Sequence, residues 1–116
     1  MNESIWTRDE LIAYILLFAA QTNFEESNKE RNVIISKVDM QTFSEIHEEF
    51  DLDNDYQSLK KIQEGLIRHD YTPEDIDGLL NDIKYMFHSD GEFDILERNM
   101  YLFLEKILKE DAKAHR

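Results

Sequence analysis

Cysteine is absent from the 116-residue sequence. Disulfide scaffolds, thiolate zinc sites and cysteine nucleophiles are therefore excluded, and a chain without thiols suits the cytosol, where this one is expected to work. Basic residues are scarce, 13 against 26 acids, for a formal charge of −13. Nucleic-acid backbones are held by clustered Lys and Arg. No such cluster exists: residues 38–59 carry seven acids and neither Lys nor Arg, and residues 70–96 carry eight acids against Lys84 alone. Nucleic acid is not an expected partner. The one-sided field suits cations, a basic protein surface or solubility. A long hydrophobic run is also missing. The longest, Leu11 to Ala20, has ten residues, where a membrane-spanning helix needs roughly 20, and neither a basic leader nor a small-residue cleavage pattern marks a signal peptide.

Enough apolar material remains for a real core, with 41% hydrophobic and 11% aromatic residues, and this argues against disorder. No linker is visible, so residues 1–116 read as one all-α bundle of about six helices. The first runs from about Arg8, capped by Thr7, to about Gln21, and its charge-free stretch should be the central element. Ser27-Asn28-Lys29-Glu30 has the form of a capping box for a second helix to about Val38, with Val33, Ile34 and Ile35 inward. A third, about 40–50, places Phe43, Ile46, His47 and Phe50 on one face. A fourth, about 56–69, buries Leu59, Ile62, Leu66 and Ile67. Thr72, Pro73, Glu74 and Asp75 open a fifth, reaching about Ser89. The sixth starts after Asp94, uses Leu96, Met100, Phe103, Leu104, Ile107 and Leu108 as its stripe, and frays over 111–116. Gly65 and Gly78 fall inside helices and imply close packing, at a cost of about 1 kcal/mol each relative to Ala. Gly91 follows a helix end, where φ > 0 is wanted. Trp6 and Tyr14 are expected in the core.

An internal echo organises the chain. Glu30-Arg31-Asn32 recurs as Glu97-Arg98-Asn99, an offset of 67 residues at which Phe18 meets Tyr85, Asn23 meets Asp90, Glu25 meets Glu92 and Ser27 meets Asp94. Each copy, about 8–38 and 73–110, reads as an apolar helix, a short acidic loop and a capped second helix.

The second copy, Phe87-His88-Ser89-Asp90-Gly91-Glu92-Phe93-Asp94-Ile95-Leu96-Glu97, resembles the D-G-x-hydrophobic-x-x-x-E signature of TerB-like domains, the tellurite-resistance family, with Asp90, Gly91, Phe93 and Glu97 in order. The first copy matches in part, Asn23 and Phe24 replacing Asp-Gly while Glu30 keeps the terminal acid. The resemblance implies a small acidic helical domain of bacterial stress systems, not an established enzyme, that binds divalent metal through acidic loops and acts with membrane-associated partners. Carried over, the metal ligands are Asp90, Glu92, Asp94 and Glu97, and a second site would draw on Asn23, Glu25 and Glu30.

The residues themselves leave two readings open. Carboxylates at 90, 92, 94 and 97 would suit the oxygen-rich sphere of Ca²⁺ or Mg²⁺ better than that of Zn²⁺. Equally, Asp94 can cap the sixth helix with Glu97 as its third-position partner, Asp90 and Glu92 being solvated. Asp51-Leu52-Asp53-Asn54-Asp55 imitates the start of a calcium loop but has Tyr56 where Gly is required and Ile62 where the bidentate Glu belongs, so it reads as a helix connection capped by Asp55. Of the histidines, His47 should lie at a boundary, His88 at a helix end and His115 in the tail. His69 suggests no role, and no His has zinc-protease or di-iron spacing. No nucleophile elbow or phosphate-binding glycine loop is present. The expected function is that of a non-enzymatic acidic, stress-associated binding module, with a divalent cation in the 90–97 loop or, alternatively, an immunity or adaptor protein that meets a basic partner without metal.

Overall fold

A helix with no charge on any side is satisfied only by being surrounded, and the apolar run of residues 11–20 organises the molecule accordingly. The computed structural model describes residues 6–20, 32–34, 36, 38–88 and 95–110, together with the backbone of 111–114. Its helices are α1 (Arg8–Ala20), α2 (described at residues 32–34 and 36), α3 (Met40–Leu52), α4 (Asp55–Arg68), α5 (Pro73–Phe87) and α6 (Ile95–Ala114). Among the described residues there is no strand, and the fold is all-α. Every residue of 11–20 is buried except the half-buried Ile12. α1 packs against α3, α4, α5 and α6, and α6 also packs on α4 and α5. One apolar cluster joins these helices through Trp6, Leu11, Tyr14, Phe43, Ile62, Ile83, Phe87 and Leu104.

The helix starts follow from local chemistry. Thr7 accepts from the Glu10 amide at 3.1 Å while Glu10 accepts from the Thr7 amide at 2.9 Å. The same reciprocal box joins Asn54 to Gln57 and Thr72 to Asp75, and Asp39 caps α3 through the Thr42 amide at 2.7 Å. Such a side chain satisfies amides that the first helical turn leaves unpaired, for about 1 kcal/mol each. α4 ends in a double-bonded turn: the amide of Tyr71 reaches the Leu66 carbonyl and that of Asp70 the Ile67 carbonyl, both at 3.1 Å. This closure needs a left-handed residue, and Asp70 supplies it with φ 52°. The chain then turns back with Tyr71 inward, 7% exposed.

Several expectations change. Asn54, not Asp55, caps α4, because the chain leaves α3 at Asp53 and Asn54 is the residue in extended conformation. α3 runs two residues beyond the expected end, and α5 stops at Phe87 with His88 as its C-cap. Ile67 is 46% exposed, since the face of α4 that meets α1 is that of Ser58, Ile62, Gly65 and Leu66. On α6 the stripe is rotated: Leu104 and Leu108 are buried as expected, but Leu96 and Phe103 are 50% and 43% exposed. The helix stays helical through Ala114 rather than fraying from 111. Gly65 does mark a close approach, an added Cβ lying 2.7 Å from Leu11 Cδ1, whereas Gly78 would meet nothing within 4 Å. Residues 21–31 and 89–94, which hold both loops of the internal echo, lie outside the described residues, as do Ile35 and His115.

Candidate functional site

Asp90, Glu92 and Asp94, three of the four sequence-derived metal ligands, lie outside the described residues, as does Gly91. The same holds for the first-loop set Asn23, Glu25 and Glu30. Glu97 is described, and it is only 2% exposed in the first turn of α6. It shares its side of the helix with Leu104 and Leu108, seven and eleven residues on, so this carboxylate points into the bundle and not to solvent. A carboxylate is buried only where hydrogen bonds or an opposite charge offset its lost hydration. Neither sequence reading, the cap or the ligand, called for this burial, and the third-position capping residues Glu10, Gln57 and Asp75 are not buried. Among the described residues no three His, Asp or Glu side chains gather as a metal ion would require.

Two other constellations flank α1, and both are made of an aromatic ring, carboxylates and one base. On the side facing α3 and α4, the Tyr14 hydroxyl donates to Asp53 Oδ2 at 2.6 Å and lies 2.9 Å from Ser58 Oγ. A phenol carries one proton, so the serine hydroxyl is the donor of the second bond. Lys61 Nζ donates to Glu49 at 2.7 Å and to Asp53 at 2.8 Å. Trp6 Nε1 donates to the other oxygen of Glu49 at 3.3 Å. The Trp6 and Tyr14 rings lie 4.6 Å apart, and Phe50 meets Tyr14 edge-on at 5.4 Å. Burial, with the Asp53 hydrogen bond second, pushes the Tyr14 phenol well above its ordinary range. The Lys61 ammonium is held above its usual value by Asp53 and Glu49 although burial opposes this. The junction is closed and its polar atoms answer one another.

On the side facing α5 the same ingredients stand open. A groove of about 320 Å³ is lined by Arg8, Ile12, Tyr71, Glu74, Asp75, Gly78, Leu79 and Asp82. The Arg8 guanidinium lies 4.3 Å from the centre of the Tyr71 ring and 3.1 Å from Asp75 Oδ2. Asp75 is fixed in place by its capping role, and the Thr72 amide, then Arg8, hold its carboxyl below the ordinary carboxylate range. Tyr71 is pushed up, first by burial. One wall of the groove thus holds a planar cation, Arg8, laid on the Tyr71 phenol ring beside the Asp75 carboxylate.

The sequence reading missed both constellations. Asp53, just past the end of α3, and Lys61 on α4 are eight positions apart, and Arg8 meets Tyr71 across more than sixty residues. Tyr14 was the available signal, because a phenol hydroxyl inside a charge-free run needs a partner from elsewhere. His47 is half-buried, 3.2 Å from Asp51 through Nδ1, and His69 donates from Nε2 to the Trp6 carbonyl at 2.8 Å. None of the described helices is long and apolar enough to cross a membrane. Comparison with family models, curated proteins and solved structures gives no match.

Proposed function

We propose that the chain is a non-enzymatic acidic binding module that receives a basic protein segment, with the α1/α5 groove holding a Lys or Arg side chain. The observation that carries this reading is Arg8, whose guanidinium occupies the groove against Tyr71 and Asp75 while Glu74 and Asp82 on the same wall add further negative charge. A partner's guanidinium would replace Arg8 and gain the same contacts. The surrounding field favours its approach, since α3 and α5 carry four acids each against Lys84 alone.

Titration of a labelled Arg- and Lys-rich peptide by fluorescence anisotropy tests this. Binding should weaken with salt and fall in a Glu74→Gln, Asp82→Asn double variant. Arg8→Ala, which empties the slot, should tighten binding roughly two- to fivefold, the worth of an exposed cation–π contact. Arg68→Ala makes the same change in net charge at an exposed position on α4 and should leave affinity nearly unchanged. Equal effects of Arg8→Ala and Arg68→Ala would mean that the field, and not the groove, does the binding.

A second reading follows the TerB-like resemblance: a stress-associated module that takes Ca²⁺ or Mg²⁺ through Asp90, Glu92, Asp94 and Glu97. Its support is the inward Glu97. Calorimetry with Ca²⁺, Mg²⁺ and Zn²⁺ separates it from the first, as does a metal-dependent rise in melting temperature, a cation at 100 times its dissociation constant adding about 2.7 kcal/mol. Heat of binding unchanged by Asp90→Asn with Glu92→Gln would remove the loop from consideration.

A further inference from the structure

The rotation of the α6 stripe leaves four large apolar side chains on the outside of the bundle: Ile95 at 67% exposure, Leu96 at 50%, Leu102 at 53% and Phe103 at 43%. Their spacing is symmetric. Counted from the exposed Asn99, they stand at −4, −3, +3 and +4, and at 3.6 residues per turn all five residues fall within about 60° of one line along the helix. Such a stripe is its own complement. If a second α6 is laid antiparallel with the twofold axis at Asn99, Ile95 faces Phe103, Leu96 faces Leu102, and the two asparagines meet at the centre, as an isologous contact requires. A lone buried Asn pair within an apolar seam is also a known means of setting helix register.

Charge does not oppose a contact through this face, although α4, with two acids and three bases, is less acidic still. α3 has four acids and no base, and α5 has four acids and one base, so two copies of a chain carrying −13 repel through either. α6 has four acids and four bases, with Glu97 turned inward. We infer that the outer face of α6 binds a second copy of this chain, as an antiparallel homodimer centred on Asn99. The four apolar side chains and their flanks bury roughly 1,000 Å² in total, at the low end of specific interfaces, so the dimer is weak and reversible. This inference does not depend on the basic-partner or cation readings.

Sedimentation at rising concentration tests it. Wild type should pass from monomer to dimer at tens to hundreds of micromolar, the range that suits so small an interface. Salt should strengthen the association by screening the repulsion between two acidic bodies, the reverse of its effect on a basic peptide. Leu102→Glu and Phe103→Glu change exposed residues only, and each should keep wild-type helicity while raising the dimer dissociation constant at least tenfold. Because the chain has no cysteine, Asn99→Cys supplies an unambiguous cross-link. Under mild oxidation it should form covalent dimer at least tenfold faster than Ser44→Cys, placed on the exposed side of α3. A wild type that remains monomeric at several hundred micromolar overturns the inference. So does a dimer indifferent to Leu102→Glu and Phe103→Glu, or equal cross-linking rates for the two cysteine variants.

Discussion

The two sides of α1 use similar chemistry to opposite ends. Toward α3 and α4, Tyr14, Asp53, Glu49 and Lys61 close on one another, and Gly65 lets α4 approach until its Cα side meets Leu11. Toward α5, Arg8, Tyr71 and Asp75 form a similar set around open space, and Gly78 adds nothing to fill it. The difference lies in burial and not in residue type, the Asp53 side chain being 10% exposed against 34% for Asp75 and 45% for Arg8. Where helices meet closely, polar groups lose water and must satisfy each other, which makes them structural. Where the pair stays partly exposed, as Arg8 and Asp75 do, its charges remain half-solvated and can exchange partners.

The comparison breaks first at Tyr14. Tyr14→Phe leaves Asp53 and Ser58 each short of a hydrogen bond in a closed site, and should cost about 1–3 kcal/mol in urea unfolding followed by the fluorescence of Trp6, the only tryptophan. A loss within error would make the closed junction no more structural than the open groove.

Alkali should expose the same asymmetry. The folded state holds the Tyr14 and Tyr71 protons above the ordinary phenol value of 10.0, and Lys61 is likewise raised. Groups with a raised folded pKa contribute stability that is complete below the unfolded value and is lost as pH climbs. Unfolding free energy should therefore decline above about pH 10, by up to about 1.4 kcal/mol per pH unit for each fully protonated group. In Tyr14→Phe the decline should be shallower. An identical slope would assign the effect elsewhere.

The glycines sharpen the contrast. Gly65→Ala gains helix propensity of about 1 kcal/mol but drives a methyl into buried Leu11 at an overpacking cost of about 1–3 kcal/mol, a net loss of roughly 1 kcal/mol. Gly78→Ala meets no neighbour and should stabilise by about 0.5–1 kcal/mol. Thermal melts of the pair should move in opposite directions. The smallest effect belongs to Arg8→Ala, which should change stability by less than about 1 kcal/mol, its ion pair and ring contact being partly exposed. A larger loss would mean that Arg8 is a structural tie and not an occupant of the groove.

Much of the fold was legible because its signals are local. Thr7, Thr72 and Pro73 mark helix starts by bonds or ring geometry within a single turn, and the uncharged run of α1 announces its own burial. The α6 stripe was misread at Leu96 and Phe103 because apolar residues surround much of that helix, and periodicity cannot say which side meets the bundle. The site was less legible still. The acidic loop stands out in the sequence by its crowding of charge, whereas the Arg8 groove draws on residues from two distant segments.

What the amino-acid order determined alone was a cysteine-free acidic chain of capped helices around the uncharged run of one core helix, since capping, charge and amphipathicity act within a few residues. Tertiary structure alone decided that Asp53 and Lys61 are spent on holding the bundle, that Arg8 rests in an open acidic groove, and that the apolar face around Asn99 looks outward. Those outcomes depend on how closely and at what rotation two helices meet, and that is settled by the packing of the whole core.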